Sequence, residues 1–119
     1  MSIPQNIIAD VLRSLGASFR FNTRIKGKSG VYHEVKVLFW LPGDKVKYAL
    51  FSYHTIEVPN IMEVLIFHYD TGIRPVILCK HSTEPAFTYA KSVEIPIIPY
   101  RGPHRLVSDM RKLVYEMTR

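Results

Sequence analysis

The sequence predicts an α/β fold: a mixed sheet flanked by helices on both faces. Three observations lead there. Residues 18 to 26 alternate apolar and polar side chains, as a half-buried strand does. Two runs dense in Val, Leu and aromatic residues flank the turn Pro42-Gly43-Asp44, the pattern of an antiparallel hairpin. From residue 58 onward, apolar-periodic helices alternate with short apolar strands. A meander of three strands followed by βαβ-type crossovers gives a mixed sheet. At 119 residues the whole chain, 1–119, is expected to be one domain. Folding at that length buries about two thirds of the unfolded surface, so no metal or disulfide staple is required.

The elements follow in order. Residues 3 to 15 read as a helix, with Ile3, Ile7, Ile8, Val11, Leu12 and Leu15 as its apolar stripe. Ser2 and Gln5 form a capping-box pattern, and Gly16 sits where the helix should stop. In the strand at 18 to 26, Phe19, Phe21, Thr23 and Ile25 are expected on one face and Arg20, Asn22, Arg24 and Lys26 on the other, which makes the outer face basic. Gly27-Lys28-Ser29-Gly30 breaks it. Val31 to Leu41 and Val46 to Thr55 are the next two strands. Residues 58 to 70 form a helix that is apolar almost all round, a sign of burial on several sides or of a subunit interface. Pro75 to Lys80 is a strand, and 83 to 93 a short helix capped by Ser82 or Thr83. Ile95 to Tyr100 is a strand that Pro96 and Pro99 consign to a sheet edge. Residues 104 to 118 close the chain as a helix, with Leu106, Val107, Met110, Leu113, Val114 and Met117 on one face and Arg105, Arg111, Lys112 and Arg119 on the other.

Composition narrows the setting. Apolar residues at 47% and charged residues at 22% are globular proportions, not those of disorder. Cys79 is the single cysteine, which forbids an internal disulfide and fits a reducing compartment. Met1 to Gln5 lacks the charged start of a signal peptide, and no apolar run approaches the roughly 20 residues of a membrane span. The chain is therefore expected to be cytoplasmic, with no membrane partner. Few amides and eight prolines lean toward a thermophile. Net charge is +6, and Arg20 to Lys47 carries seven basic residues against Glu34 and Asp44. So concentrated a charge suits a polyanion, usually nucleic acid; the plainer reading is solubility.

The residues that follow the first strand carry a resemblance. An amphipathic helix, a strand and a Gly-x-x-Gly loop lead into Gly27-Lys28-Ser29-Gly30-Val31-Tyr32-His33-Glu34-Val35-Lys36-Val37. Later, Asp70-Thr71-Gly72 precedes the strand Ile77-Leu78-Cys79-Lys80, and Phe87-Thr88-Tyr89-Ala90-Lys91 precedes Ile95-Pro96-Ile97-Ile98. Over residues 3 to 100 this resembles the restriction-endonuclease-like, PD-(D/E)xK superfamily, in particular archaeal Holliday-junction resolvases and type IV restriction endonucleases. The resemblance implies an αβββαβ core and a DNA-cutting ancestry. It also implies a twofold homodimer and, as a further partner, a protein of DNA repair or recombination.

The departures bear on chemistry. In the family an acidic residue on the second strand and Glu-x-Lys on the third hold a divalent cation that polarises the phosphate. Here Lys36 stands at the first position, and Leu50-Phe51-Ser52-Tyr53-His54 at the second. A lysine in place of a carboxylate repels the cation, so no metal site or cofactor is expected and no catalytic set is assigned. Glu34 with Glu63 is the best substitute pair for Mg²⁺; the plainer reading is two solvated carboxylates. His33 and His54, on neighbouring strands, invite a zinc or acid–base reading, against rim histidines. His68, His81 and His104 show no ligand spacing, and Cys79 reads as a small core residue. The loop Gly27 to Gly30 has backbone N–H groups to offer a phosphate, against a simple turn. Tyr32, Trp40, Tyr48, Tyr53 and Tyr100 are candidates for base stacking, against core packing.

The expectation is a nuclease fold without its active site, leaning away from an enzyme. It would bind DNA, or a DNA-processing partner, through Arg20, Arg24, Lys26, Lys28, Ser29 and Lys36. The alternatives are an active metal-dependent DNA endonuclease with a rearranged carboxylate site (Glu34, Glu63, Mg²⁺), and a structural or regulatory subunit that binds no nucleic acid. Self-association is expected through the apolar helix at 58 to 70, with Phe67 and Tyr69 extending its surface; the alternative is that the closing helix covers it within one chain.

Overall fold

The computed structural model describes residues 3–118, with side chains to residue 116. The places expected for Ser2, the Met117 side chain and Arg119 lie outside the described residues. The elements are α1 (Gln5–Ser14), β1 (Ser18–Lys26), β2 (Tyr32–Trp40), β3 (Lys47–Ile56), α2 (Val58–Thr71), β4 (Arg74–Ser82), α3 (Glu84–Ser92), β5 (Ile97–Pro99) and α4 (Pro103–Thr118). Their order is the one the periodicities predict.

Local chemistry sets the ends. α1 starts after Pro4, whose carbonyl accepts from the N–H groups of Ile7 and Ile8; no side chain caps it. Glu57 precedes α2, and its N–H donates to Asn60 Oδ1 at 2.9 Å. Gly72, at φ 74°, ends the helix in the left-handed region that glycine enters without strain. Thr83 Oγ1 accepts from Ala86 N–H at the start of α3.

The five strands lie in the order β1-β2-β3-β4-β5, antiparallel through β3 and parallel from β3 to β5. β5 is an edge, as its prolines require. Alternation along β4 divides the core in two. Val76 and Leu78 pack with Ile8, Val11 and Leu12 of α1 and Leu106, Met110 and Val114 of α4. Ile77 and Cys79 pack with Ile61 and Val64 of α2 and Ala86 and Ala90 of α3. Helices thus cover both faces, α1 and α4 on one and α2 and α3 on the other. Removing each large side chain from water contributes about 1.5–3 kcal/mol.

Two features of the β1–β2 hairpin position the site. The first is an exchange of faces. Phe19, Phe21, Val37 and Phe39 pack on the α1/α4 side, whereas Ile25, Val35 and Leu38 pack with Phe67 on the α2 side. Val35 and Val37 are two apart yet face opposite ways. The irregularity lies where the register passes from Phe21↔Val37 to Thr23↔Val35, skipping Asn22 and Lys36, and Asn22 sits at φ 54°, a left-handed conformation asparagine tolerates. The expectation that Phe19, Phe21 and Ile25 share one face, and Arg20, Arg24 and Lys26 the other, is therefore corrected. Arg20, partner of Leu38, lies on the α2 side; Arg24 and Lys26 lie on the α1 side.

The second feature is a fork. The β2–β3 ladder spans only Val37–Trp40 against Lys47–Leu50. Beyond it β2 continues with β1 alone, to Tyr32, and β3 with β4 alone, to Ile56. Phe67 of α2 packs edge-on against Phe51 beside this opening, at 5.1 Å between ring centroids. Ile3 N–H reaches Ser52 Oγ at 3.4 Å.

Candidate nucleic-acid interface

On the α1 side, the outer half of the hairpin extends beyond the core cluster that takes in Phe19 and Phe21. Arg24, Lys26, Tyr32 and Glu34 share that face by alternation from the α2-facing His33 and Val35, and all four are exposed; Lys36, also exposed, sits at the irregularity, where alternation assigns no face. Tyr32 is 54% exposed. The Arg24 guanidinium carbon lies 4.7 Å from its ring centroid and the Lys26 Nζ 5.9 Å, so two cations flank one aromatic ring. A second such station stands on the opposite face at the inner end of the hairpin, where Arg20 and Lys47 lie 6.0 and 5.7 Å from the Trp40 ring. Trp40, partly buried against Val35, Leu38, Ala49 and Phe67, belongs to the core.

The loop between β1 and β2 is clamped to the end of α2. Ser29 donates its N–H to Asp70 Oδ1 and its hydroxyl to Asp70 Oδ2, each at 2.8 Å. Lys28 N–H donates to the Asp70 carbonyl at 2.8 Å. His33 Nε2 lies 2.6 Å from Asp70 Oδ2, and its ring meets Phe67 edge-on at 5.5 Å. The hydrogen bond from His33, then those from Ser29, hold the Asp70 carboxyl well below the usual range, at about 2. A carboxylate at neutral pH accepts only, so His33 Nε2 carries the proton it shares. Gly27 is required here by close approach: a Cβ on it would occupy the space of the Asp70 carboxyl group.

This clamp favours the plainer reading of the loop, a strand-to-strand turn, over a phosphate cradle. Gly27 N–H donates to Val31 O, Gly30 N–H to Gly27 O and Val31 N–H to Ser29 Oγ, while Lys28 and Ser29 spend theirs on Asp70. The anion in this nest is the protein's own carboxylate. The three side chains are also not a nucleophilic triad, because Ser29 Oγ bonds the carboxylate rather than the imidazole. What the clamp does is fix the loop that displays Lys28.

The remaining candidates separate. Glu34 points away from the α2 side, on which Glu63 of α2 sits, so the structure does not bring these two carboxylates together. Glu63 lies close enough to Tyr53 to add to the effect of burial in raising its phenol. His33 and His54 are not a pair. The ladder that would align them ends before either, His33 turns to Asp70, and His54 meets His81 edge-on at 5.4 Å. Lys36 and the run Leu50 to His54 line the two arms of the fork, with no carboxylate among them. Among the described residues no three His, Cys, Asp or Glu side chains are grouped to hold a metal ion. Cys79 is buried, which pushes its thiol up and away from reactivity.

Asp70 is the residue sequence reasoning passed over as a site. Its only local signal is a carboxylate in the last turn of a largely apolar helix, before Thr71-Gly72. Its partners lie 41 and 37 residues away in the chain.

No protein-family model and no curated protein matches the sequence. Among solved structures, the fold is similar to the crystal structure of a protein of unknown function, AF1548, with a TM-score of 0.62 at 21% sequence identity. The alignment covers 76% of this chain and 53% of that one, so this chain spans about half the length of that relative. At that identity the likeness extends to the fold alone.

Proposed function

We propose that this chain is a restriction-endonuclease-like domain that has lost nuclease chemistry and binds DNA through the uncovered face of its β1–β2 hairpin. Arg24, Lys26 and Lys36 would hold phosphates there, with Lys28 and Ser29 on the clamped loop beside them. The observation that carries the reading is that face: two exposed cations, Arg24 and Lys26, against an exposed tyrosine, on an arm of a fork whose strands offer no carboxylate pair. The αβββαβ arrangement is supported by the antiparallel β1–β3 meander, by the parallel β3–β4 crossover through α2, and by α1 and α2 on opposite faces. We also propose that the domain pairs through α2. Met62, Ile66 and Tyr69 recur along one face of that helix, at 50%, 62% and 69% exposure. α4, on the other side of the sheet, leaves them uncovered. Phe67, expected on the same surface, is instead buried at 3% exposure and belongs to the core.

Fluorescence anisotropy with labelled DNA across a salt series tests the DNA-binding reading. Alanine at Arg24, Lys26, Lys28 and Lys36 should abolish binding at moderate salt. Each single substitution should flatten the slope of log K against log salt by up to about 0.9. Arg20→Ala, on the other face, should leave affinity within about twofold. Equal loss from Arg20→Ala and Arg24→Ala overturns the assignment of the face. Nicking of plasmid DNA in Mg²⁺ or Mn²⁺ that Glu34→Gln abolishes overturns the loss of catalysis. Failure of the wild-type chain to bind any DNA leaves the structural-subunit reading.

A further inference from the structure

We infer that Tyr32 is a stacking platform for an unpaired base, so that the DNA favoured by this face is single-stranded or carries a single-stranded segment. The inference rests on the proposal that the hairpin face binds DNA, and it narrows the class of ligand. Five aromatic residues were candidates for stacking on sequence grounds, and their surroundings sort them. Tyr48 is fully buried. Trp40, Tyr53 and Tyr100 pack against the three apolar clusters of the core. Tyr32 alone of the five has most of its surface open, beside Val31 at 57% exposure.

Its setting suits a base better than a duplex. An intact duplex keeps its bases stacked inward and presents phosphates; against that surface Arg24, Lys26, Lys28 and Lys36 suffice, and an aromatic ring adds little. A single strand presents the flat face of each base, which stacks on an aromatic ring whatever its sequence. Tyr32 lies opposite Lys26 in the β1–β2 register, and Arg24 stands 4.7 Å from its ring centroid. A base laid on the open part of the ring therefore has cations at hand for the phosphates on either side of it. The platform is also held before the ligand arrives. The loop that leads into Tyr32 is tied to α2 through Lys28, Ser29 and Asp70, and His33, the next residue, is tied to the same carboxylate. With the backbone restrained on both sides of Tyr32, only the side chain's own rotation remains to be lost on binding.

The test uses the full chain, a fluorescein-labelled oligo-dT strand and a duplex of equal length, at one salt concentration. The wild type should prefer the single strand. Tyr32→Phe, which keeps the ring, should match it. Tyr32→Leu should bind the single strand roughly 5- to 150-fold more weakly, the range alanine substitution of stacking residues gives. Its duplex affinity and its slope against salt should stay unchanged, because no phosphate contact is removed. A 2-aminopurine base within the strand should be quenched by the wild type and by Tyr32→Phe, and not by Tyr32→Leu. If Tyr32→Leu binds the single strand as the wild type does while Arg24→Ala weakens it, the stacking inference fails and the DNA-binding proposal stands. If the wild type binds neither form, both fail. Unchanged thermal melting of the variants confirms that each measurement reports on the folded protein.

Discussion

Tyr48 of β3 carries a phenol into the core, where its ring lies nearly parallel to Phe39 at 5.1 Å and 16°. The residue is fully buried, and among the described residues its hydroxyl has no hydrogen-bond partner. Burial first, then the charge of Asp44, raises the phenol from its ordinary value, with Arg74 opposing, so the group stays neutral. Replacing Tyr48 by Phe removes one oxygen and leaves the ring stack in place. An unpaired buried hydroxyl costs about 1–3 kcal/mol in lost hydration. The void left by one oxygen, on the order of 10 Å³, costs about 0.2 kcal/mol at the known rate for cavities. Tyr48→Phe should therefore stabilise the fold by about 0.8–2.8 kcal/mol. With an unfolding entropy near 2.1 cal/mol/K per residue over 119 residues, each kcal/mol raises Tm by about 4 °C. Urea unfolding should show a higher midpoint with an unchanged m-value, and calorimetry a Tm about 3–11 °C above the wild type. Tyr48→Leu, which destroys the stack, should melt below the wild type. A Tyr48→Phe variant that melts several degrees lower refutes the reasoning, because the hydroxyl must then have a partner such as a buried water.

Two further outcomes follow from the clamp and from α2. The Asp70 carboxyl is lowered from 3.8 to about 2, so the carboxylate's contribution to docking the loop is fully present above about pH 4 and is lost as pH falls through about 2; carboxyl-carbon NMR should give that midpoint, and one near 3.8 would show that the clamp does not hold in solution. If α2 pairs with a second copy, sedimentation equilibrium should give a species of twice 13.8 kDa that Ile66→Lys converts to the single chain, whereas a wild type that sediments at 13.8 kDa at every concentration excludes the dimer.

How far local rules reach is visible in particular residues. Apolar spacing places α1, α2 and α4, alternation with its punctuating glycines and prolines places the strands, and Pro96 and Pro99 put β5 at an edge. All of these depend on neighbours within about four positions, and periodicity records such neighbours. The faces of the hairpin are a different matter. Alternation assumes an unbroken pleat, and Asn22 interrupts it, so Arg20 parts company with Arg24 and Lys26 although all three share one parity. The buried state of Phe67 has a related cause: an almost wholly apolar helix does not mark which side the sheet will take, and packing against Val35, Leu38 and Ala49 decides it.

By itself, then, the sequence determined the order and type of the nine elements among the described residues and the basic charge of the first hairpin. Each is a property of residues read one at a time or against close neighbours. Tertiary structure alone decided that Asp70 reaches across 41 residues to fill the loop nest with a carboxylate, that His33 turns to it rather than to His54, and that Tyr32 stands open between Arg24 and Lys26. Those outcomes depend on which distant backbone segments meet, and only the closing of the sheet over its helices brings the segments within a bond's length.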